Sequence, residues 1–272
     1  MNNNDVVYST LVLFGKEGAQ SVAEVLRFED VAGVVADVLS ATGCKLAGRG
    51  WIEGEKGKNV APRKGTWSAA LGRQWAATLG KGRFKAIELF DREWREGNHP
   101  AAYGAIRKLW GYGPSGYFER TKDGAENHIV IAIREDLVTD SLERLEAVGR
   151  SLIEKIKCFY GSVESNVPWD RPRGQLREDM IDLRWYNRLE GDYRRGTFKV
   201  DEMVPRLYRG NILSRRQFLT SELQELNLVK LAGVERVESW PGDLVYLRLA
   251  EQPEYGAKPL FQFAELIRFI PE

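Results

Sequence analysis

The side chains best suited to metal binding or nucleophilic catalysis are scarce in this 272-residue sequence. It holds only two histidines, His99 and His128, and two cysteines, Cys44 and Cys158. Zinc sites need clustered ligands at defined spacing, and neither an HExxH motif nor a cysteine pair occurs. A serine nucleophile would need one of the histidines, and no Gly-x-Ser-x-Gly supports it. We therefore expect no catalytic residue, no metal and no cofactor, and we predict that the protein is not an enzyme.

Paired carboxylates are the one catalytic element that the sequence does supply. Glu53 lies near Glu55, and Glu178 lies near Asp179 and Asp182. Such spacing fits an acid–base pair or a Mg²⁺ site, but solvated surfaces show it far more often. An enzyme with a carboxylate-based site therefore remains a third hypothesis, without nominated residues.

Segment 45–85 combines positive charge with aromatic rings. It contains ten lysines and arginines against two acidic residues, together with three tryptophans. Cations that meet phosphates and rings that stack on bases are typical of nucleic-acid surfaces. A solvated loop held down by its tryptophans explains the same composition and is the favoured reading. The candidate binding residues here are Trp51, Arg63, Lys64, Trp67, Lys81, Arg83 and Lys85.

Composition is that of an ordinary globular protein, with 43% apolar residues, 29% charged residues and a net charge of +1. No apolar run is long enough for a membrane span, and the N-terminal residues lack the features of a secretory signal. Two cysteines in a chain of this length favour a reducing cytoplasm. No linker is apparent, so we predict one domain over 1–272, with a possible two-part division near residue 125.

The clearest local pattern is a strand–helix–strand unit over 128–167. A β-branched run, Ile129–Ile133, predicts a buried strand. Asp140, three residues before Glu143, predicts a capping box at the start of a helix. Apolar residues then recur every three or four positions until Gly161, where we expect the helix to stop. A second strand should follow within 162–167.

Other segments extend this alternation of strands and helices. Strands are predicted at 6–14, 84–90 and 181–189, and a hairpin at 234–249. Helices are predicted over 30–43, 100–110, 214–226 and 257–269, and 48–82 reads as a long Gly-rich loop with a short helix at 67–79. The predicted fold class is therefore an α/β mixture (α+β), with a mixed, largely antiparallel sheet and helices packed mainly on one face.

The C-terminal half also carries a series of short motifs. A helix ending in FYGSVESN is followed by VPRLYRGNIL and then by AGVERVESWPGDLVYLRLAEQP. In this order, over about 130–255, they resemble bacterial families of polymorphic-toxin immunity proteins. The matching positions are Tyr160, Gly161, Pro205, Tyr208, Gly210, Asn211, Gly242 and Asp243. The resemblance implies neutralisation of a toxin by binding, without catalytic residues.

The leading hypothesis is therefore a cytoplasmic bacterial immunity or defence-associated protein. It would bind a cognate toxin and occlude the toxin's active site, with no membrane partner. The second hypothesis is nucleic-acid binding through segment 45–85. The C-terminal half adds four residues to the candidate binding surface: Tyr208, Asn211, Trp240 and Asp243.

Overall fold

The computed structural model describes the chain in several stretches. These are residues 6–16, 32–53, 59–68, 70–71, 84–94, 99–109, 111–112, 118–119, 126–153, 155, 158–170, 175–176, 204, 207–219, 228, 230–251, 263 and 266–269.

Strands dominate these stretches. They are β1 (Val7–Lys16), β2 (Leu46–Glu53), β3 (Asn59–Thr66), β4 (Phe84–Asp91), β5 (Ala102–Leu109), β6 (Gly111–Tyr112), β7 (Phe118–Glu119), β8 (Glu126–Arg134), β9 (Cys158–Asp170), β10 (Gln175–Leu176), β11 (Gly210–Ser214), β12 (Val234–Trp240) and β13 (Leu244–Leu249). Helical residues form α1 (32–40), α2 (Ser141–Leu152) and a 3-10 turn at Arg215–Gln217, and residues 70–71, 228 and 263 are helical as well.

One large sheet contains most of the strands. Its order is β12-β13-β11-β9-β1-β8-β5-β4-β2-β3, with β10 paired to β9 as an eleventh strand. Every strand pair in the described part of the chain is antiparallel. The predicted α/β fold class is therefore wrong, because the protein is mainly β. Two segments that read as a loop and as a helix in the sequence are strands, and they account for much of the difference.

The first of these segments is the Gly-rich stretch from residue 48. Residues 46–53 and 59–66 form the antiparallel strands β2 and β3, and β2 also pairs with β4. Glycines interrupt the apolar alternation here, so the pattern does not look like a strand in the sequence. The predicted helix at 67–79 falls mostly on residues that are not described.

The second segment is 100–110, predicted as a helix, which contains the strand β5 over Ala102–Leu109. β5 pairs with β4 and β8 in the middle of the sheet. A Cβ on Gly104 would lie 2.7 Å from Val35 Cγ1 and 3.1 Å from Leu39 Cδ1. The missing side chain therefore lets α1 lie directly on this strand, and tertiary packing overrides the local helical pattern.

The strand–helix–strand unit is confirmed, as β8, α2 and β9, but a third strand separates its two strands. β1 pairs antiparallel with both, so Leu11 lies opposite Ile131 on one side and Val163 on the other. β8 and β9 therefore run parallel to each other across β1. The strands predicted at 6–14 and 84–90 and the hairpin at 234–249 are confirmed as well.

Helix α2 begins at the predicted place but ends earlier, at Leu152. Asp140 has a left-handed backbone (φ 55°) and makes no side-chain cap, so the capping box is wrong. Gly161 lies inside β9, not at a helix end. A Cβ on this glycine would come within 2.8 Å of the Val12 carbonyl oxygen, so its role is close packing in the sheet.

Both faces of the central strands are buried. Leu11, Leu13 and Ile131 pack on the face that carries α1 and α2. The alternating residues, such as Val12 and Val130, pack on the opposite face against residues of the C-terminal half. α1 and α2 lie on the same face, whereas the helical residues Leu228 and Phe263 pack on the opposite face.

Three predicted elements remain. Ser214 ends β11 and residues 215–217 form a 3-10 turn, so the predicted helix does not start at 214, and residues 220–227 are not described. The strand at 181–189 and most of the helix at 257–269 lie outside the described residues. No helix of the described residues is long and apolar enough to cross a membrane.

Candidate functional site

Three of the four candidate binding residues in the C-terminal half are buried. Tyr208, Asn211 and Trp240 are 1%, 0% and 6% exposed. Asn211 Oδ1 accepts a hydrogen bond from the Tyr208 backbone N–H at 2.7 Å, and its Nδ2 donates to the carbonyl oxygens of Tyr208 (2.7 Å) and Leu247 (3.3 Å). The amide therefore ties the chain before β11 to β13, which is a structural role.

Asp243, the fourth, is exposed in the turn of the β12–β13 hairpin. Gly242 and Asp243 both have positive φ, 77° and 60°, which Gly and Asp tolerate best. The carboxylate accepts a hydrogen bond from Arg215 Nε at 2.6 Å. This exposed ion pair links the hairpin turn to the end of β11.

The basic candidates of segment 45–85 gather at the opposite end of the sheet. Arg63 and Lys64 are on β3, Trp51 is on β2 and Lys85 is on β4. Register places Arg63 opposite Gly50, and Lys64 opposite Arg49.

Trp67, just after β3, is half-buried against the helix-side core. Lys81 and Arg83 lie outside the described residues. We call the β4–β2–β3 end with Arg49, Trp51, Arg63, Lys64 and Lys85 the basic end of the sheet.

A cluster around Glu146 was not predicted from the sequence. Glu146 lies on α2, and its side chain is only 7% exposed. Its carboxylate accepts hydrogen bonds from Tyr246 Oη at 2.5 Å, from Arg248 Nη1 at 3.0 Å and from Arg236 Nη2. Arg236 and Arg248 lie directly opposite each other on β12 and β13. The buried carboxylate thus offsets the repulsion between two facing guanidinium groups.

Further acids surround the two arginines of this Glu146 cluster. Arg248 donates to Glu143 Oε1 at 3.0 Å and to Glu235 Oε2 at 3.1 Å. Burial alone would lower the pKa of Arg248, but the nearby carboxylates outweigh it and raise the pKa. Burial and the Glu146 carboxylate both raise the pKa of Tyr246 far above its usual value. The arginines therefore stay charged and the tyrosine neutral across the physiological range.

Aromatic stacking orders the hairpin itself, and one more ion pair connects the hairpin to α2. The rings of Trp240 and Tyr246 stack with centroids 4.4 Å apart and planes 10° apart. Trp240 Nε1 donates to Glu238 at 3.0 Å, and Arg150 of α2 lies 3.9 Å from the same carboxylate. Through these ion pairs and hydrogen bonds, the Glu146 cluster acts as a clasp between α2 and the hairpin.

One sequence signal could have revealed this clasp. Glu146 follows Leu145 on the helix face that also buries Leu142 and Gly149. An acid within an apolar helix face needs a cationic partner, since burial of an unpaired charge is costly. Its partners could not be found in the same way, because they lie about 90 and 102 residues away along the chain.

A second polar cluster lies at the first residue of α2, Ser141. Glu135 Oε1 accepts from Ser9 Oγ at 2.9 Å and from the Asn166 backbone N–H at 2.7 Å. Ser9 and Ser141 share a hydrogen bond of 2.7 Å. Asn166 has φ 56° and lies where β9 is irregular against β1. These contacts fix the bulge of β9 to the start of α2.

Neither cysteine has the features of an activated nucleophile. Both are free thiols. Complete burial raises the pKa of Cys158 to about 12, and partial burial also raises the pKa of Cys44. Activated thiols need the opposite shift. Among the described residues, no group of three or more His, Cys, Asp or Glu side chains is arranged to hold a metal ion.

Comparison with known proteins gives information on the fold alone. No family model matches the chain. No curated protein matches it either. Among solved structures, the chain is similar to the Pseudomonas aeruginosa T6SS protein PA0821, with a TM-score of 0.57 and 8% sequence identity. The match covers 96% of this chain and 69% of that one. The two proteins share a fold.

Proposed function

We propose that this protein neutralises a bacterial toxin by binding it through the basic end of the sheet. The observation that carries the proposal is the register of β2 and β3, which places Arg49 opposite Lys64 and next to Arg63. Glu88 of β4 is the acidic residue on the other side of Arg49. Support also comes from the fold shared with a T6SS protein, which suggests a secretion- or toxin-related context. The immunity-like motifs of the C-terminal half point in the same direction.

The strands at this end favour recognition by side chains. β3 is the last strand in the order, so among the described residues only β2 pairs with it. Pro62 lies within β3 and has no N–H to donate, which disfavours the addition of another strand. The partner would therefore meet charged and aromatic side chains, as in most protein–protein interfaces.

Charge then indicates the kind of toxin surface. Segment 45–85 has ten basic residues against two acidic ones, so an acidic or neutral face fits better than the basic cleft of a nuclease. A partner of this kind would be drawn in by long-range attraction, and occlusion of its active site would require no chemistry from this chain.

The test is co-expression with the product of the adjacent gene. A stable complex and rescue of growth are expected. Arg63→Glu with Lys64→Glu should slow association strongly, because both changes reverse charge at the proposed surface. The control is Arg144→Glu with Lys230→Glu, which makes the same net change at exposed positions elsewhere. Equal loss of binding in both double variants, or no complex at all, would contradict the proposal.

Nucleic-acid binding is a second candidate at the same place. The specific observation in its favour is that Trp51 lies two residues after Arg49 on β2, and Arg49 is opposite Lys64 of β3, so an aromatic position follows two basic ones along one face of the sheet. Fluorescence anisotropy with labelled single-stranded RNA and DNA tests it. Binding should weaken steeply with salt and on replacement of Lys81, Arg83 and Lys85 with alanine. Salt-insensitive binding would exclude this candidate.

The remaining parts of the proposal concern catalysis and compartment. The protein would act without an enzymatic site, and turnover of any substrate by a carboxylate-based site would overturn this. It would act in the bacterial cytoplasm, where free thiols such as Cys44 and Cys158 persist. Fractionation of expressing cells tests the compartment directly.

A further inference from the structure

Strand β12 lies at the other end of the sheet, far from the basic end in strand order. Within the described residues it pairs only with β13. Its exposure supports an edge position, since β13 is fully buried while six of the seven residues of β12 are at least partly exposed. This edge is a second surface that the proposed toxin-binding site does not use.

The direction of the backbone groups on β12 follows from those on β13. Leu249 N–H donates to Arg209, and the Leu247 carbonyl accepts from Asn211, so both face the β11 side. Antiparallel strands aim alternate residues at alternate neighbours. Arg248 and Tyr246 therefore face β12, and their partners Arg236 and Glu238 face β13. Val237, between them, aims its N–H and C=O away from the sheet.

We propose that two copies of this chain associate by antiparallel pairing of their β12 strands, centred on Val237. A two-fold axis there makes the two valines a hydrogen-bonded pair and places Arg236 of each copy opposite Glu238 of the other. Two cross-strand ion pairs form by symmetry. Glu235 falls opposite the uncharged Ser239, so no like charges meet.

Other registers lack this complementarity. An axis at Arg236 would oppose two arginines, and an axis at Glu238 would oppose two glutamates, both destabilising across a strand pair. The side chains are available for contact, since Arg236 is 40% exposed and Glu238 is 34% exposed. The charge pattern thus selects a second copy of the same strand over an unrelated segment.

The Glu146 cluster prepares this edge for pairing. Arg236 and Glu238 are held by α2 and by each other before any partner arrives. The hairpin turn is tied to Arg215 as well. A strand that is already ordered loses less conformational entropy on association.

Charge-swapped chains test the proposal by sedimentation velocity over a range of concentrations. Wild type should form a reversible dimer. Glu238→Arg alone opposes arginines, and Arg236→Glu alone opposes glutamates, so each should weaken self-association by about tenfold or more. A mixture of the two variants restores both pairs and should form a heterodimer. Undiminished dimerisation of both single variants, or a heterodimer no stronger than either homodimer, would overturn the assigned surface.

Arg236→Glu places a new carboxylate near Glu146, which disfavours the native fold. A second pair of variants therefore tests the backbone pairing and leaves these charges unchanged. Val237→Pro deletes the outward N–H at the centre of the pairing, while Val237→Ala keeps it and removes most of the same side chain. Proline should abolish the dimer and alanine should retain it, with both proteins folded by circular dichroism. If the wild type stays monomeric at high concentration, the proposed dimer is wrong, whether or not the β12 edge contacts a toxin.

Discussion

The Glu146→Gln variant should unfold at a clearly lower urea concentration than the wild type. The carboxylate accepts from one hydroxyl and two guanidinium groups, and its side chain is 7% exposed. Glutamine removes the charge and replaces one acceptor oxygen with a donor that faces other donors. Three groups around position 146 would then compete for a single acceptor.

The size of the effect follows from how the remaining charges are placed. Removal of one partner from a buried ion pair costs roughly 3–5 kcal/mol. Arg248 keeps Glu143 and Glu235, and Arg236 is partly solvated beside Glu238. We therefore expect a lower value, about 2–3 kcal/mol. Tyr246 and Arg248 remain buried, so water cannot replace the lost contacts completely.

Equilibrium urea unfolding, followed by circular dichroism and tryptophan fluorescence, measures this change. The control is Glu143→Gln, which also removes one carboxylate from Arg248 but at a side chain that is 53% exposed. Its cost should be about 0–1 kcal/mol. If Glu146→Gln and Glu143→Gln destabilise the protein equally, the clasp between α2 and the hairpin carries no special stability and our reasoning is wrong.

Three further predictions concern stability. Burial raises the pKa of Tyr246 above the usual 10.0, so the folded state holds this proton more tightly than the unfolded state does. The free energy of unfolding should therefore fall as the pH rises above about 10, and it should fall less steeply in Tyr246→Phe. An equal decrease of melting temperature with pH in both proteins would refute this. Gly161→Ala should cost about 1–3 kcal/mol in urea unfolding, because the new Cβ meets the Val12 backbone, whereas Gly33→Ala in α1 has open space and should be neutral or stabilising. Asn211→Ala should lower the free energy of unfolding by about 2–4 kcal/mol, because the Tyr208 N–H and the carbonyl oxygens of Tyr208 and Leu247 lose a buried hydrogen-bond partner. A loss below about 0.5 kcal/mol in the same assay would contradict this structural role.

Local patterns predicted the elements whose sequence and environment agree. β1, β8 and the β12–β13 hairpin have β-branched or alternating residues and well-marked turns. The pattern failed where packing decides the structure. The sequence of β5 has a helical pattern, but the segment is a strand on which α1 packs directly, because Gly104 has no side chain. Gly161 resembles a helix stop, yet its conformation is set by a neighbouring strand.

The candidate sites show the same division. Sequence composition identified the basic segment, and the sheet brings its residues onto adjacent strands. It also nominated Tyr208, Asn211 and Trp240, whose polar and aromatic character serves the interior. The Glu146 cluster escaped notice because an ion pair across about 100 residues leaves no local periodicity.

The position of β1 has a consequence for how the chain is made. This strand is hydrogen-bonded on both edges, yet its partners β8 and β9 are encoded more than a hundred residues later. During synthesis an apolar strand must therefore wait, unpaired, until the middle of the chain leaves the ribosome. Such long-range pairing slows folding and leaves unpaired strand edges exposed, which favours aggregation. We expect the nascent chain to depend on chaperones that shield β1, and removal of this strand to separate β8 from β9 and split the sheet in two.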